Sequence, residues 1–179
     1  MLSATHPLEN RWSLWAGRGW KDTRSVGTVA TVEDYLGVAN NLAPPSSWPV
    51  PYIVAWFHEG VPPEWETPVN AKGGAWVACL SAKRARETGA VWRDIVYAVL
   101  GGTLPLGEHI VGLRLNKRRG GFRIAIWTRA LSADQARAMG AALLALPRAG
   151  PIAGTMEYKR HADASAGGSA FGAMALVSM

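Results

Sequence analysis

The chain holds 179 residues, with 19 Lys plus Arg against 13 Asp plus Glu and a formal net charge of +6. At about 100–200 residues per domain, this length supports one domain over 1–179 and argues against a two-domain enzyme, while the charge favours an anionic partner. A composition of 49% hydrophobic and 18% charged residues excludes disorder over most of the chain, and one cysteine, Cys79, excludes an internal disulfide framework or a thiolate zinc cluster. Trp12, Leu14 and Ala16 alternate with Ser13 and Trp15, which predicts a strand, and Gly17–Gly19 turn it into a loop carrying Trp20. Thr31 with Asp34 three residues on reads as a capping box opening a helix over Val32–Leu42, which Pro44–Pro45 ends. Tyr52–His58 is β-branched and aromatic and predicts a strand. The Pro- and Gly-rich stretch from Gly60 to Gly74 is then a long loop carrying Trp65 and Glu66.

A strand over Ala75–Ser81 and a helix over Ala85–Leu100 follow, the helix stopped by Gly101–Gly102. Ile110 to Leu115 and Phe122 to Thr128 both alternate, and Lys117-Arg118-Arg119-Gly120-Gly121 joins them as a hairpin with a cationic tip. Ser132 with Gln135 caps a helix over Ala136–Leu146, and Met156–Arg160 predicts a last strand. The Ala-, Gly- and Ser-rich stretch 162–179 has the composition of a mobile tail that could order on a ligand. Strands outnumber helices, so the class is α+β: a largely antiparallel sheet with helices on one face and the other free to bind.

No apolar run reaches the roughly 18 residues that cross a bilayer, and Met1–Trp12 has no apolar core of a secretory signal. The expectation is a chain of the cytoplasm or nucleus with no membrane partner. Enzyme signatures are missing: there is no phosphate loop ending in Lys-Ser/Thr, no dinucleotide fingerprint and no nucleophile elbow. The four His, at 6, 58, 109 and 161, show no ligand-like spacing, so neither a metal site nor a catalytic constellation is expected.

Nine Trp against four Tyr and three Phe call for sorting. Trp12, Trp56, Trp76 and Trp127 lie in strand patterns and Trp92 in a helix, where packing is the default role. Trp15, Trp20, Trp48 and Trp65 lie at strand ends or in loops, and Trp20 and Trp65 are the candidates for a stacking pair. Between His109 and Met156 there is a single acid, Asp134, against a run of Lys and Arg that includes Arg114, Lys117, Arg118, Arg119 and Arg123. Indole platforms beside cations are how proteins hold single nucleotides. Glu66 is acceptor-only, matched to the N1 and exocyclic amine hydrogens of a guanine edge.

Several blocks, in order, resemble one family. His6-Pro7-Leu8-Glu9-Asn10-Arg11-Trp12-Ser13-Leu14-Trp15, Thr31-Val32-Glu33-Asp34, Trp65-Glu66, Lys72-Gly73-Gly74-Ala75-Trp76, Ile124-Ala125-Ile126-Trp127-Thr128 and His161-Ala162-Asp163 resemble the eukaryotic translation initiation factor 4E family of mRNA cap-binding proteins. The resemblance implies a curved antiparallel sheet with three helices on its convex face and 7-methylguanosine held on the concave side. It implies that Trp20 and Trp65 sandwich the base, Glu66 receives its N1 and N2 hydrogens and Trp127 contacts the N7 methyl group. Arg118 and Arg123 match family phosphate-binding positions, and Lys117 and Arg119 neighbour them. His161, Ala162 and Asp163 resemble a loop that meets the second nucleotide. His6, Pro7, Val32, Leu36, Trp92 and Tyr97 correspond to the convex face that takes a scaffold factor of the 4G type or a 4E-binding repressor.

Two departures are visible. Tyr35-Leu36 stands where the family usually has an aromatic followed by Trp, and Ala75 where many members have Arg. The implied function is cap binding in translation initiation, without catalysis and with no cofactor, and hypermethylated caps are a further candidate ligand. A cap-binding repressor without scaffold recruitment and a Trp-rich carbohydrate-binding module are the alternatives.

Overall fold

A computed structural model of the chain describes residues 5–166 and 177–178. Its strands are β1 (Pro7–Gly17), β2 (Arg24–Thr31), β3 (Tyr52–His58), β4 (Gly74–Ser81), β5 (Ile110–Arg118), β6 (Gly121–Thr128), β7 (Glu157–Arg160) and β8 (Val177–Ser178). The helices are α1 (Val32–Ala39), α2 (Pro68–Ala71), α3 (Ala85–Leu100), α4 (Ala133–Leu144) and α5 (His161–Ala166). All strands pair antiparallel in one curved, unclosed sheet of order β2-β1-β3-β5-β6-β4-β7-β8. The α+β class with one antiparallel sheet is therefore as the sequence implies. Among the described residues no helix is long and apolar enough to cross a membrane.

Period-2 alternation sends each central strand to two different interiors. Trp12 and Leu14 of β1, Val54 and Trp56 of β3, Trp76 and Leu80 of β4, Leu113 and Leu115 of β5, and Ile124 and Ile126 of β6 join one buried cluster. The same cluster contains Tyr35 of α1, Val91, Trp92 and Ile95 of α3, and Ala136, Met139 and Leu143 of α4. Those three longer helices thus cover one face. The Trp76 indole Nε1 donates to the Ala136 carbonyl at 3.1 Å and fastens α4 to the sheet. Arg148 Nη1 donates to Asp94 Oδ1 at 2.6 Å, tying the segment after α4 to α3. The intervening side chains (Ala55 and Phe57 of β3, Ala75 and Val77 of β4, Ala125 and Trp127 of β6) make a second buried cluster on the helix-free face.

Several boundaries depart from the sequence reading for identifiable reasons. β2 is an edge strand, exposed along most of its length, and Val29 is its one buried side chain; such a strand leaves no alternating apolar signal. α1 stops at Ala39, not Leu42, because Asn40 caps it and the Asn41 side chain donates back to the Gly37 carbonyl at 2.7 Å. The Thr31/Asp34 and Ser132/Gln135 capping boxes are both formed, the second opening α4 at Ala133 and ahead of Ala136. A bulge between Ile110 and Gly112 reverses the alternation at the start of β5: Ile110 faces the helices and Val111 the other side. Within the expected mobile stretch 162–179, the described residues form the rest of α5 and β8, which pairs with β7; the remainder lies outside the described residues.

Candidate functional site

The helix-free face carries a cavity of about 570 Å³. Its floor is low because small residues, Ala75 of β4 and Ala125 of β6, occupy inward positions beside Val77 and Trp127. Two loops wall it from opposite ends of the sheet, one bringing Trp20 and the other Trp65. The first follows Gly17, which pairs with Ile53; the second lies between His58, which pairs with Trp12, and Gly74, which pairs with Thr128.

Each loop is held by its own hydrogen bonds. In the β1–β2 turn, the Thr23 hydroxyl donates to the Gly19 carbonyl at 2.8 Å, and Arg24 Nη1 donates to the Lys21 carbonyl at 2.9 Å. Gly17 is required there, because a Cβ would collide with the backbone of Asp22. In the β3–β4 connection, buried Asn70 of α2 donates its side-chain amide to the carbonyls of Pro62 (3.2 Å) and Glu64 (2.7 Å). This holds the segment leading into Trp65. Gly73 closes the connection, since a Cβ would strike the Thr128 carbonyl oxygen.

The cavity is strongly cationic. Arg114, Arg123, Lys159, Arg160 and His161 line it, and no carboxylate does among the described residues. Lys159 is paired with Glu157 at 2.9 Å. Arg114 lies over two indoles, its guanidinium carbon 5.3 Å from the Trp20 ring centroid and 5.4 Å from that of Trp127. Burial, followed by the like charges of Arg123 and Arg118, lowers the Arg114 pKa; arginine still stays charged at neutral pH. Arg123 is also shifted down, by burial and then Arg118, and its Nε is buried without a hydrogen-bond partner. Burial holds His161 at a pKa of about 4, with Arg114 and Arg123 adding to the effect. His161 is therefore neutral at pH 7, its ring centroid 4.4 Å from that of Trp127 and tilted 47° to it, with Nε2 buried and without a partner among the described residues. A site lined by Arg114, Arg123 and Arg160, with a buried guanidinium N–H left unpartnered and no carboxylate in its lining among the described residues, suits an anion.

The structure brings together only part of the set expected from sequence. Trp20, Trp65, Trp127, Arg123 and His161 share the cavity. Trp20 is 42% exposed, Trp65 is half-buried, and Trp127 packs edge-on against Phe57. Glu66 is exposed and does not line the cavity, and neither do Lys117, Arg118 and Arg119. Lys117 is committed elsewhere: its Nζ donates to the carbonyls of Ser46 (2.7 Å) and Trp48 (2.6 Å), anchoring the loop before β3. Arg119 is exposed in the β5–β6 turn, while Arg118 is close enough to depress the pKa of both Arg114 and Arg123. Ala162 and Asp163 are exposed on α5, whereas His161 is buried as part of the wall. Trp48, grouped by sequence with the loop indoles, is buried and donates Nε1 to the Ala43 carbonyl at 2.7 Å.

Arg114, which lines the cavity, and Asn70, which holds the Trp65 loop, were given no role by the sequence. Arg114 had a signal: it occupies a strand position out of phase with Leu113 and Leu115 and so faces away from the helices. Asn70 had none, because its role depends on where the preceding loop folds.

On the convex side, Val32, Leu36 and Tyr97 are exposed. Tyr97 lines a second cavity of about 880 Å³ between α1, the segment after it and α3, to which Tyr35, Leu42, Pro44, Pro45 and Trp92 also contribute, whereas Val32 and Leu36 do not line it. Trp92 itself is buried, so it underlies this surface and does not project from it. His6 acts one turn away: its Nδ1 meets Glu33 Oε1 at 2.6 Å, and its carbonyl accepts from Val32 N at 2.8 Å. Pro7 is exposed at the start of β1.

Comparison with known proteins places these features in context. The family model described as "Eukaryotic initiation factor 4E" matches residues 7–174. Eukaryotic translation initiation factor 4E-1 of Schizosaccharomyces pombe is 33% identical over 176 residues, covering 92% of this chain and 79% of that protein. The Caenorhabditis elegans eIF4E-3 structure in complex with the 4E-binding protein Mextli superposes with a TM-score of 0.83 at 26% identity, covering 90% of this chain and 97% of that one. Ascaris suum eIF4E-3, solved with an m2,2,7G cap and with an m7G cap, gives a TM-score of 0.81 at 28% identity in both cases, covering 88% of this chain and 92% of that one.

Proposed function

The chain belongs to the eukaryotic initiation factor 4E family, and from that premise we propose that it binds the 7-methylguanosine cap of mRNA in translation initiation, with the base in the cavity between Trp20 and Trp65. The observation that carries this reading is the cavity itself, where loop indoles from opposite ends of the sheet flank a wall of cations with no carboxylate among the described residues. N7 methylation makes guanine cationic, so each indole face adds a cation-π attraction of up to about 2 kcal/mol when desolvated. Two faces together, at about 3–4 kcal/mol, correspond to a preference of a few hundredfold for the methylated base over guanine.

Trp127, at the cavity floor, is the surface for the N7 methyl group. Glu66 is the acceptor for the N1 and N2 hydrogens once its loop turns it inward from its exposed position. Arg123 takes phosphate, with Arg118 beside it. His161 walls the site, leaving Ala162 and Asp163 on the exposed side of α5 to meet the next nucleotide. No bond is made or broken in this reading, so the chain is a binding protein, and its place is the cytoplasm, where capped transcripts are translated.

The convex face carries the second half of the function. Val32, Leu36 and Tyr97 give an apolar surface for a scaffold factor or a 4E-binding protein, received as an amphipathic helix through anchors at helical spacing. Titration calorimetry with 7-methyl-GTP and GTP tests the cap reading. A large preference for the methylated ligand is expected, lost by about thirtyfold in Trp20→Ala or Trp65→Ala. Equal affinity for the two ligands would refute it.

A further inference from the structure

Arg114 packs its guanidinium on two indoles of the cavity and has no carboxylate partner among the described residues. Its cross-strand neighbours are both alanines, Ala55 on β3 and Ala125 on β6, which leaves its long side chain room to swing across the cavity floor. It rests on Trp20 and Trp127, the two indoles assigned above to the base and its methyl group. Arg123 is its diagonal neighbour, since Arg114 pairs with Ala125 and Asn116 with Arg123. Such a diagonal spans about 7–8 Å, and both side chains face the same cavity.

We propose that Arg114 is a specificity-determining residue that makes recognition of the methylated base conditional on the phosphates attached to it. The proposal rests on the cap reading of the cavity. A cationic base entering beside Trp20 brings a second positive charge to rings already occupied by a guanidinium, and like charges at close range oppose one another. The opposition is relieved when the guanidinium moves onto an anion, and a polyphosphate arrives covalently joined to the base. Arg114 and Arg123 then hold the phosphate chain from two strands, while Trp20 is released to the base. A bare methylated nucleoside supplies no such anion, so it must compete with Arg114 for the indole. One residue therefore raises affinity for the phosphorylated ligand and lowers it for the unphosphorylated one.

The test is calorimetric titration of the wild type, Arg114→Leu and Arg114→Lys with 7-methylguanosine, 7-methyl-GMP and 7-methyl-GTP at fixed salt. In Arg114→Leu, affinity for 7-methyl-GTP is expected to fall about ten- to a hundredfold, the range for losing a hydrogen bond to a charged group, while affinity for the nucleoside stays level or rises. Arg114→Lys, which keeps a point charge, should retain most of the dependence on phosphate. An equal loss for nucleoside and triphosphate in Arg114→Leu would overturn the proposal and make Arg114 a prop for Trp20. If Arg114→Leu does not fold, Arg114→Gln, neutral but polar, decides on the same criterion. Wild-type protein that prefers no methylated ligand over GTP would sink the cap reading and this proposal together, whereas wild-type preference with an unchanged phosphate dependence in the neutral Arg114→Leu or Arg114→Gln variant would sink the proposal alone.

Discussion

The His161 imidazole lies 4.4 Å from the Trp127 indole, tilted 47° to it, so the first residue of α5 closes the cavity that β6 floors. Burial keeps this ring neutral down to a pKa of about 4, against 6.5 for an unperturbed histidine. The unfolded chain takes up the proton near pH 6.5 and the folded chain near pH 4, so the contribution of this group to stability falls as pH drops through that window and changes no further below it. About 2.5 pH units at about 1.4 kcal/mol each give a loss of up to about 3 kcal/mol. Thermal melts from pH 7.5 to 4 should show this decline, and His161→Phe, which keeps a ring beside Trp127 but cannot titrate, should make it shallower, leaving the part due to His58, which burial also shifts down. An identical decline in both proteins would place the effect elsewhere.

Asn70 touches no part of the proposed ligand, yet its amide positions the loop that carries Trp65. Asn70→Ala leaves two carbonyls without their donor, a loss of about 1–3 kcal/mol. Cap affinity should weaken alongside stability, because ordering the Trp65 loop then falls to the binding step. Denaturant unfolding and calorimetry on the same variant check the two effects. Full affinity in a destabilised protein would show that Trp65 is held independently.

Lys117 and Arg123 sit one cross-strand position apart on the β5–β6 hairpin, but the structure gives them different work. Lys117→Met should lower stability by releasing the Ser46 and Trp48 carbonyls and leave 7-methyl-GTP affinity within about threefold. Arg123→Met should weaken 7-methyl-GTP about tenfold or more and reduce the salt dependence of binding, as expected for a lost phosphate contact. The reverse pattern would restore Lys117 to the phosphate site and remove Arg123 from it.

Leu36 is 38% exposed on α1, one turn from Val32 and next in the chain to Tyr35, whose ring meets Tyr97 of α3 edge-on at 5.8 Å. Leu36→Glu should weaken capture of a 4E-binding helical peptide at least tenfold, the order of effect for a central apolar anchor, without changing cap affinity. Leu36→Trp should strengthen it by enlarging the apolar contact. Peptide anisotropy in the presence of 7-methyl-GTP reads both. If Leu36→Glu binds the peptide as well as wild type does, the convex-face assignment is wrong.

The fold was legible wherever an element is buried on one side. β3 and α3 come out at their sequence-predicted bounds, because Tyr52–His58 is saturated with apolar residues and the stripe through Val91, Ile95 and Val99 is unbroken. β2 escaped detection because an exposed edge strand has nothing to bury. In the cavity, Trp20 and Trp65 were legible as loop indoles, since an exposed apolar ring on a loop needs an explanation. The engagement of Lys117 was not legible because its partners, Ser46 and Trp48, lie some seventy positions earlier in the chain, and a run of cations does not reveal which of its members are already engaged. Glu66 is the opposite case: its neighbour Trp65 reaches the cavity while the carboxylate stays in solvent, so adjacency in sequence overstated adjacency in space.

Because β6 turns Ile124 and Ile126 toward the helices and Ala125 and Trp127 toward the cavity, its one backbone serves as a party wall between two rooms. Deleting a single residue from its middle would exchange the furnishings of both at once. Changes of length in such a molecule are therefore confined to the segments between strands, and diversification of the strand itself proceeds only by replacing one side chain with another.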